Sequence, residues 1–208
     1  MKINFEKRPL SWSQVNSFLY DPKQWYDRYI LGKKSEDTPE LIFGKRFSDS
    51  IIEGKPLAPI TLLPKNEFEF QFRVCGIKCI GFADGFDDVS KKNLIEYKTG
   101  VKEWTHDRVK KHGQIDFYLL ANYVLYKIKP EDVSVALEWI PTKKIHTQKM
   151  GLSNNEYSID FATNPPEVVR FETKRTLPEI LTFAGFLGKT IGEMQKYVDN
   201  YHLHTVSE

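Results

Sequence analysis

The 208 residues suit one domain with embellishments and are enough to bury a real core. Hydrophobic residues make up 40% and charged residues 28%, which argues against a disordered chain, and no apolar run approaches a membrane span. A formal net charge of +2 excludes a global basic field. Any nucleic-acid footprint is therefore local, as at Lys33-Lys34, Lys91-Lys92, residues 108–111 and Lys143-Lys144, each of which alone reads as solvated surface.

Taken in order, residues 10–30 predict two short helices. Ser11 or Ser13 can cap the first, with Val15, Phe18 and Leu19 as its apolar face. Asp21-Pro22 ends it and starts the second, Asp as cap and Pro at the first helical position, and Trp25, Tyr26, Tyr29 and Ile30 follow as an aromatic stripe. Residues 33–39 read as a loop, 41–53 as a helix ending at Gly54, and 56–64 as irregular. Residues 67–73 alternate charged and aromatic side chains, as a half-buried strand does. Strands over 78–89 and 93–99, with a turn at residues 90–93, complete an antiparallel meander of three strands, and Asp87 and Asp88 read as turn residues.

Cys75 and Cys79 stand four apart in what reads as one strand, share a face, and are expected to be buried free thiols. Within one strand they are too far apart for a disulfide, and two thiols are too few for a zinc or iron–sulfur site. A helix is expected over 107–128, with Ile115, Tyr118, Leu119, Asn122, Tyr123 and Tyr126 at helical spacing. Strands over 133–140 and 168–173 and a helix over 178–201 close the chain. Trp12, Trp25 and Trp139 read as core, and Trp104 as a loop residue able to stack on a base. His106 and His112 read as surface, and His202-x-His204 as an adventitious metal pair in the tail. The order of elements predicts an α/β (α+β) fold with a central mixed sheet flanked by helices.

The chemistry concentrates in Gly81-Phe82-Ala83-Asp84-Gly85 and Ile95-Glu96-Tyr97-Lys98-Thr99-Gly100. Glu96 and Lys98 point to one face of their strand, Ile95 and Tyr97 to the other. A charged pair in a central strand is costly unless paired or bound to metal. The hairpin brings Asp84 near Glu96, and two carboxylates with a strand carbonyl, that of Tyr97, suit Mg2+ or Mn2+. Such a cation activates water against a phosphodiester, with Lys98 serving the water and the charge that builds on phosphorus.

Asp84 followed by Glu96-x-Lys98 resembles the PD-(D/E)xK nuclease superfamily. Gln114-x-x-x-Tyr118, Ser11-Trp12-Ser13-Gln14-Val15-Asn16-Ser17-Phe18, Asp21-Pro22-Lys23-Gln24-Trp25-Tyr26 and Gly44-Lys45-Arg46-Phe47-Ser48 resemble its RecB-like exonuclease branch, in the right order over about two thirds of the chain. The resemblance implies a restriction-endonuclease-like core across residues 1–208, with N-terminal helices to residue 55, a catalytic sheet and motif helix over 65–175 and a C-terminal helix over 178–201. It implies a Mg2+- or Mn2+-dependent deoxyribonuclease acting at DNA ends in repair, recombination or phage DNA processing. Asp84, Glu96 and Lys98 would be catalytic, Asp84, Glu96 and the Tyr97 carbonyl metal-binding, and Gln114 and Tyr118 substrate-binding.

Two departures stand out. The branch commonly places a metal-binding His where Ser48 stands, so water, Asp49 or Glu53 would have to substitute. The cysteines that hold an iron–sulfur cluster in CRISPR-associated and helicase-linked relatives are missing, so no cluster is expected. A reducing cytoplasmic setting in a bacterial, archaeal or phage-infected cell is the expected location. Ser48 also raises the alternative of a non-cleaving nucleic-acid-binding or accessory protein on the same fold.

Overall fold

In a computed structural model, which describes residues 2–34, 36–146 and 157–205, six strands form one mixed sheet with helices on both faces. Helix α1 (Trp12–Tyr20) is capped by Ser11, whose side chain accepts the Gln14 N–H. Asp21 terminates it and caps α2 (Pro22–Trp25), which runs on as a wider π-turn over Tyr26–Ile30. Val15, Phe18, Trp25 and Tyr26 are buried as the pattern predicts, whereas Leu19 is half exposed, because the packed face of so short a helix is narrow. Helix α3 (Pro39–Ile52) follows, capped by Thr38, and stops before Gly54 at a positive φ.

Strands β1 (Lys65–Val74), β2 (Ile77–Phe86) and β3 (Asn93–Gly100) make the expected antiparallel meander. The β1–β2 turn is Cys75-Gly76, both at positive φ, the conformation that matches the twist of a two-residue hairpin. This corrects the reading of the cysteines: Cys75 is an exposed turn residue, and only Cys79 is buried, where desolvation pushes its thiol up to about 12. Asp87 takes the turn role expected of it, accepting from Val89 N, Ser90 N and the Asn93 side chain.

Strand β4 (Ser134–His146) lies parallel to β3. The crossover that a parallel pair requires is made by α4 (His106–Lys110) and α5 (Gly113–Tyr126). Strands β5 (Tyr157–Phe161) and β6 (Val169–Thr173) both pair antiparallel with β4, along different stretches, and β5 has no counterpart in the sequence reading. Helix α6 (Leu177–Thr205) closes the fold, and the side chains of His202 and His204 lie outside the described residues. One face of the sheet packs Phe70, Phe72, Leu94 and Leu137 against α1, α5 and α6. The other packs Ile95, Tyr97, Ala136 and Ile140 against Phe47 and Ile51 of α3. Among the described residues no helix is long and apolar enough to cross a membrane.

The expected single helix over 107–128 is broken at His112, whose backbone is extended. Tertiary contacts cause the break. Arg175 donates to the last carbonyls of α4, those of Val109 and Lys110. Gly113 then lets the Trp12 indole lie against the start of α5: a Cβ there would stand 2.2 Å from the ring. Gly113→Ala is therefore expected to lower stability by about 1–3 kcal/mol, since the ring has to move out of its packing. Thermal melting would show this, and an unchanged midpoint would refute the steric account.

Candidate active site

Although β2 and β3 are neighbours, their ladder joins only Gly85 to Ile95 and Phe86 to Leu94. Beyond those rungs the strands part. The Tyr97 N–H, left without a β2 carbonyl, is taken by Asp84 Oδ2 at 2.7 Å, so the carboxylate replaces the missing rung. The gap opens into a cavity of about 240 Å3 lined by Ser48, Glu67, Asp84, Glu96, Lys98 and Gln114. Three sequence-predicted residues thus converge: Asp84 from β2, Glu96 and Lys98 from β3.

Glu96 is fully buried. The Lys98 ammonium pairs with its Oε1, and its Oε2 has no protein partner. Burial pushes the Asp84 carboxyl well above the usual range, and the Glu96 charge adds to this. Burial raises Glu96 too, against the opposing pull of Lys98. For Lys98 burial acts downward, but Glu96 and Asp84 outweigh it and the ammonium is held above its ordinary value.

Gln114 and Tyr118 sit one turn apart on α5, as expected. Their polar groups form a chain: Lys98 Nζ donates to Gln114 Oε1 at 3.0 Å, Gln114 Nε2 donates to Tyr118 Oη at 2.7 Å, and Tyr118 Oη donates to the Phe82 carbonyl. Tyr118 is buried, and its immediate task in this arrangement is to tie Gln114 and Lys98 to β2. The close approach of α5 depends on Gly81, where a Cβ would stand 2.9 Å from the Tyr118 ring.

Glu67 was missed by sequence reasoning, which saw an ordinary residue of an alternating strand. Its φ is 51°, a left-handed conformation costly for a side chain of this kind. It lines the cavity and accepts the Ser48 hydroxyl at 2.6 Å. Asp49 and Glu53, the expected substitutes for a histidine at position 48, are exposed and line a neighbouring open groove instead. The carboxylate beside Ser48 is that of Glu67. Its charge adds to the burden on both Asp84 and Glu96. Glu67→Gln is expected to raise stability by about 0.5–1 kcal/mol, or roughly 1–4 °C in the melting midpoint, because the like-charge contact disappears while Ser48 keeps an acceptor. A lower midpoint would contradict it.

His112 also differs from its surface reading. It is half buried beside Trp104, ring centroids 5.0 Å apart, and its Nε2 is covered without a partner. Trp104 lies outside the cavity lining, partly buried, with Arg108 4.3 Å above its ring. Burial, with Lys98, Arg175 and Arg108 nearby, pushes His112 down to about 3 from its ordinary value of 6.5. A depressed folded pKa means that the neutral form's contribution is intact above pH 6.5 and is lost as pH falls towards 3. Wild type is expected to lose about 1–2 kcal/mol more than His112→Asn between pH 7 and pH 5 in denaturant titrations. Parallel curves would exclude it.

Among the described residues no three His, Cys, Asp or Glu side chains form a ready-made metal cage. The donor chemistry still fits a hard cation. Mg2+ is commonly held by one or two carboxylates and keeps most of its waters. The unpartnered, buried Oε2 of Glu96 beside Asp84 is the oxygen such an ion would satisfy.

No protein-family model and no curated protein sequence matches the chain. In fold it is similar to the crystal structure of a "putative exonuclease" from Eubacterium rectale, with a TM-score of 0.60 and 11% identity, covering 94% of this chain and 87% of that one. At that identity the likeness concerns the fold: a central mixed sheet flanked by helices. The crystal structure of LHK-Exo in complex with dAMP aligns over 94% of both chains at 13% identity, but its TM-score of 0.36 is too low to add to this.

Proposed function

We propose that the chain is a metal-dependent DNA nuclease of the PD-(D/E)xK type, RecB-like branch, acting from DNA ends. One observation carries the reading: Asp84, Glu96 and Lys98 meet where β2 and β3 part, with a buried Glu96 oxygen left unpartnered. The fold likeness to a protein described as an exonuclease supports it.

Asp84, Glu96 and the Tyr97 carbonyl would hold Mg2+ or Mn2+. When bound, the cation supplies polarisation of the phosphoryl oxygens and a lowered pKa for water. Lys98 Nζ, held between Glu96 and Gln114, places a positive donor where negative charge builds on phosphorus and where the attacking water stands. Gln114 and Tyr118 keep that donor from swinging and, at the cavity wall, Gln114 faces the substrate backbone. A role in repair, recombination or phage DNA processing belongs to the same proposal.

End-labelled single- and double-stranded DNA, incubated with Mn2+, Mg2+ or EDTA, tests it. Progressive release of short products that stops in EDTA is the expected result. Binding without product under either metal would favour a non-cleaving nucleic-acid-binding protein, a reading fed by Ser48 in place of a ligand.

A further inference from the structure

We propose that Phe82 is a base-stacking residue that seats the strand entering the cleft, an inference that rests on the nuclease reading. Phe82 is in the middle of β2, yet it is 44% exposed, belongs to neither hydrophobic cluster and has no ring contact among the described residues. Most other phenylalanines of the described chain are buried or packed against the core. No packing role accounts for it.

Its position is specific. Alternation puts Phe82 on the same face of β2 as Asp84, about 6.6–6.8 Å along the strand. The ladder to β3 ends at Gly85, so β2 has no β3 rung beside Phe82. The face continues from Phe82 through Ile80 and Gln71 to Lys78; Glu69, opposite Phe82, is engaged by Gln71, and Arg73, opposite Lys78, is held by Glu6. Bases need a flat apolar partner and phosphates need cations, and the order from the cavity outward is carboxylate, aromatic ring, aliphatic side chain, lysine.

The backbone that carries the ring is also tied to the site. The Phe82 carbonyl receives the Tyr118 hydroxyl, the end of the hydrogen-bond chain that starts at Lys98. The β2 backbone at Phe82 and Lys98 are thereby linked. A base seated on Phe82 sets the next phosphodiester over Asp84. This needs an unpaired base, so the residue favours single strands and frayed ends over closed duplex.

The test is oligonucleotide binding in EDTA, with a labelled single strand carrying one abasic residue at each position in turn. Wild type is expected to lose about 5- to 150-fold in affinity at one position near the end and little elsewhere. Phe82→Ala should lose the same factor on the intact strand and become indifferent to the abasic residue, while Phe82→Trp keeps the wild-type pattern. Melting curves should be unchanged, because the side chain is exposed. Equal binding by Phe82→Ala and wild type at every position overturns the proposal. So does a wild-type self-association that Phe82→Ala abolishes, which would assign the ring to a second copy of the chain. The two readings fail separately: cleavage indifferent to Phe82 sinks only the stacking, and Phe82-dependent binding without cleavage in Mn2+ sinks only the nuclease.

Discussion

Lys98→Met is expected to reduce Mn2+-supported cleavage by about 10²–10⁴-fold, the range for removing a positioned donor or acid–base group. The ammonium touches both Glu96 and Gln114, so its loss removes the positive group nearest the carboxylates. A confounding effect has to be separated. Glu96 is fully buried, and stripping its partner leaves an uncompensated charge, which costs about 3–5 kcal/mol when nothing else relaxes. Low activity in the single variant would then report partial unfolding as well as lost chemistry. The double variant Glu96→Gln/Lys98→Met removes both charges, and exchanging a buried pair for neutral groups of similar size is often close to neutral. It should melt near the wild-type temperature and remain inactive. Full cleavage by a folded Lys98→Met protein would end the nuclease proposal.

Arg175→Ala should produce the largest loss of stability, about 3–5 kcal/mol and roughly 6–20 °C in the melting midpoint. Arg175 is buried, and its guanidinium joins three parts of the fold. Nε meets Asp116 Oδ1 of α5 at 2.6 Å, one terminal nitrogen meets Thr173 Oγ1 at 2.6 Å, and the other takes the Val109 and Lys110 carbonyls of α4. Truncation orphans all of them at once. Burial raises the Asp116 carboxyl, and Arg175 is what opposes that rise. Without the arginine the folded pKa of Asp116 climbs further. The penalty is then full at neutral pH and shrinks as pH falls and the carboxyl takes a proton. Arg175→Lys keeps a charge but not the planar fork, and should recover only part of the loss. Guanidinium titrations at pH 7 and pH 4.5 measure both statements, and a deficit under 1 kcal/mol at pH 7 would refute them. Since the same arginine fixes the α4–α5 junction two residues before Gln114, activity should fall faster than stability.

Strand β3 was legible because its signal is local. Alternation alone put Glu96 and Lys98 on one face and Ile95 and Tyr97 on the other, and the structure has them so, with Ile95 and Tyr97 against α3 and Lys98 against Gln114. The Asp21-Pro22 boundary was equally local, a cap and a proline acting over one turn. Glu67 was not legible. Nothing in its neighbours announces a left-handed backbone or a bond to a serine nineteen residues away. Phe82 had no role in the sequence reading beyond its place beside Asp84, because the absence of a β3 partner is invisible in the sequence of β2.

The sequence by itself determined most of the elements, the faces of β3 and the residue types that gather at the cavity, because period, caps and turn residues act within a few positions. Tertiary structure alone decided where β2 and β3 separate, that the motif helix breaks at His112, that β5 and β6 share β4, and that Glu67 stands beside Ser48. Each of these depends on groups far apart in the chain, such as Trp12 against Gly113 or Arg175 against Lys110, whose energies no short window of residues contains.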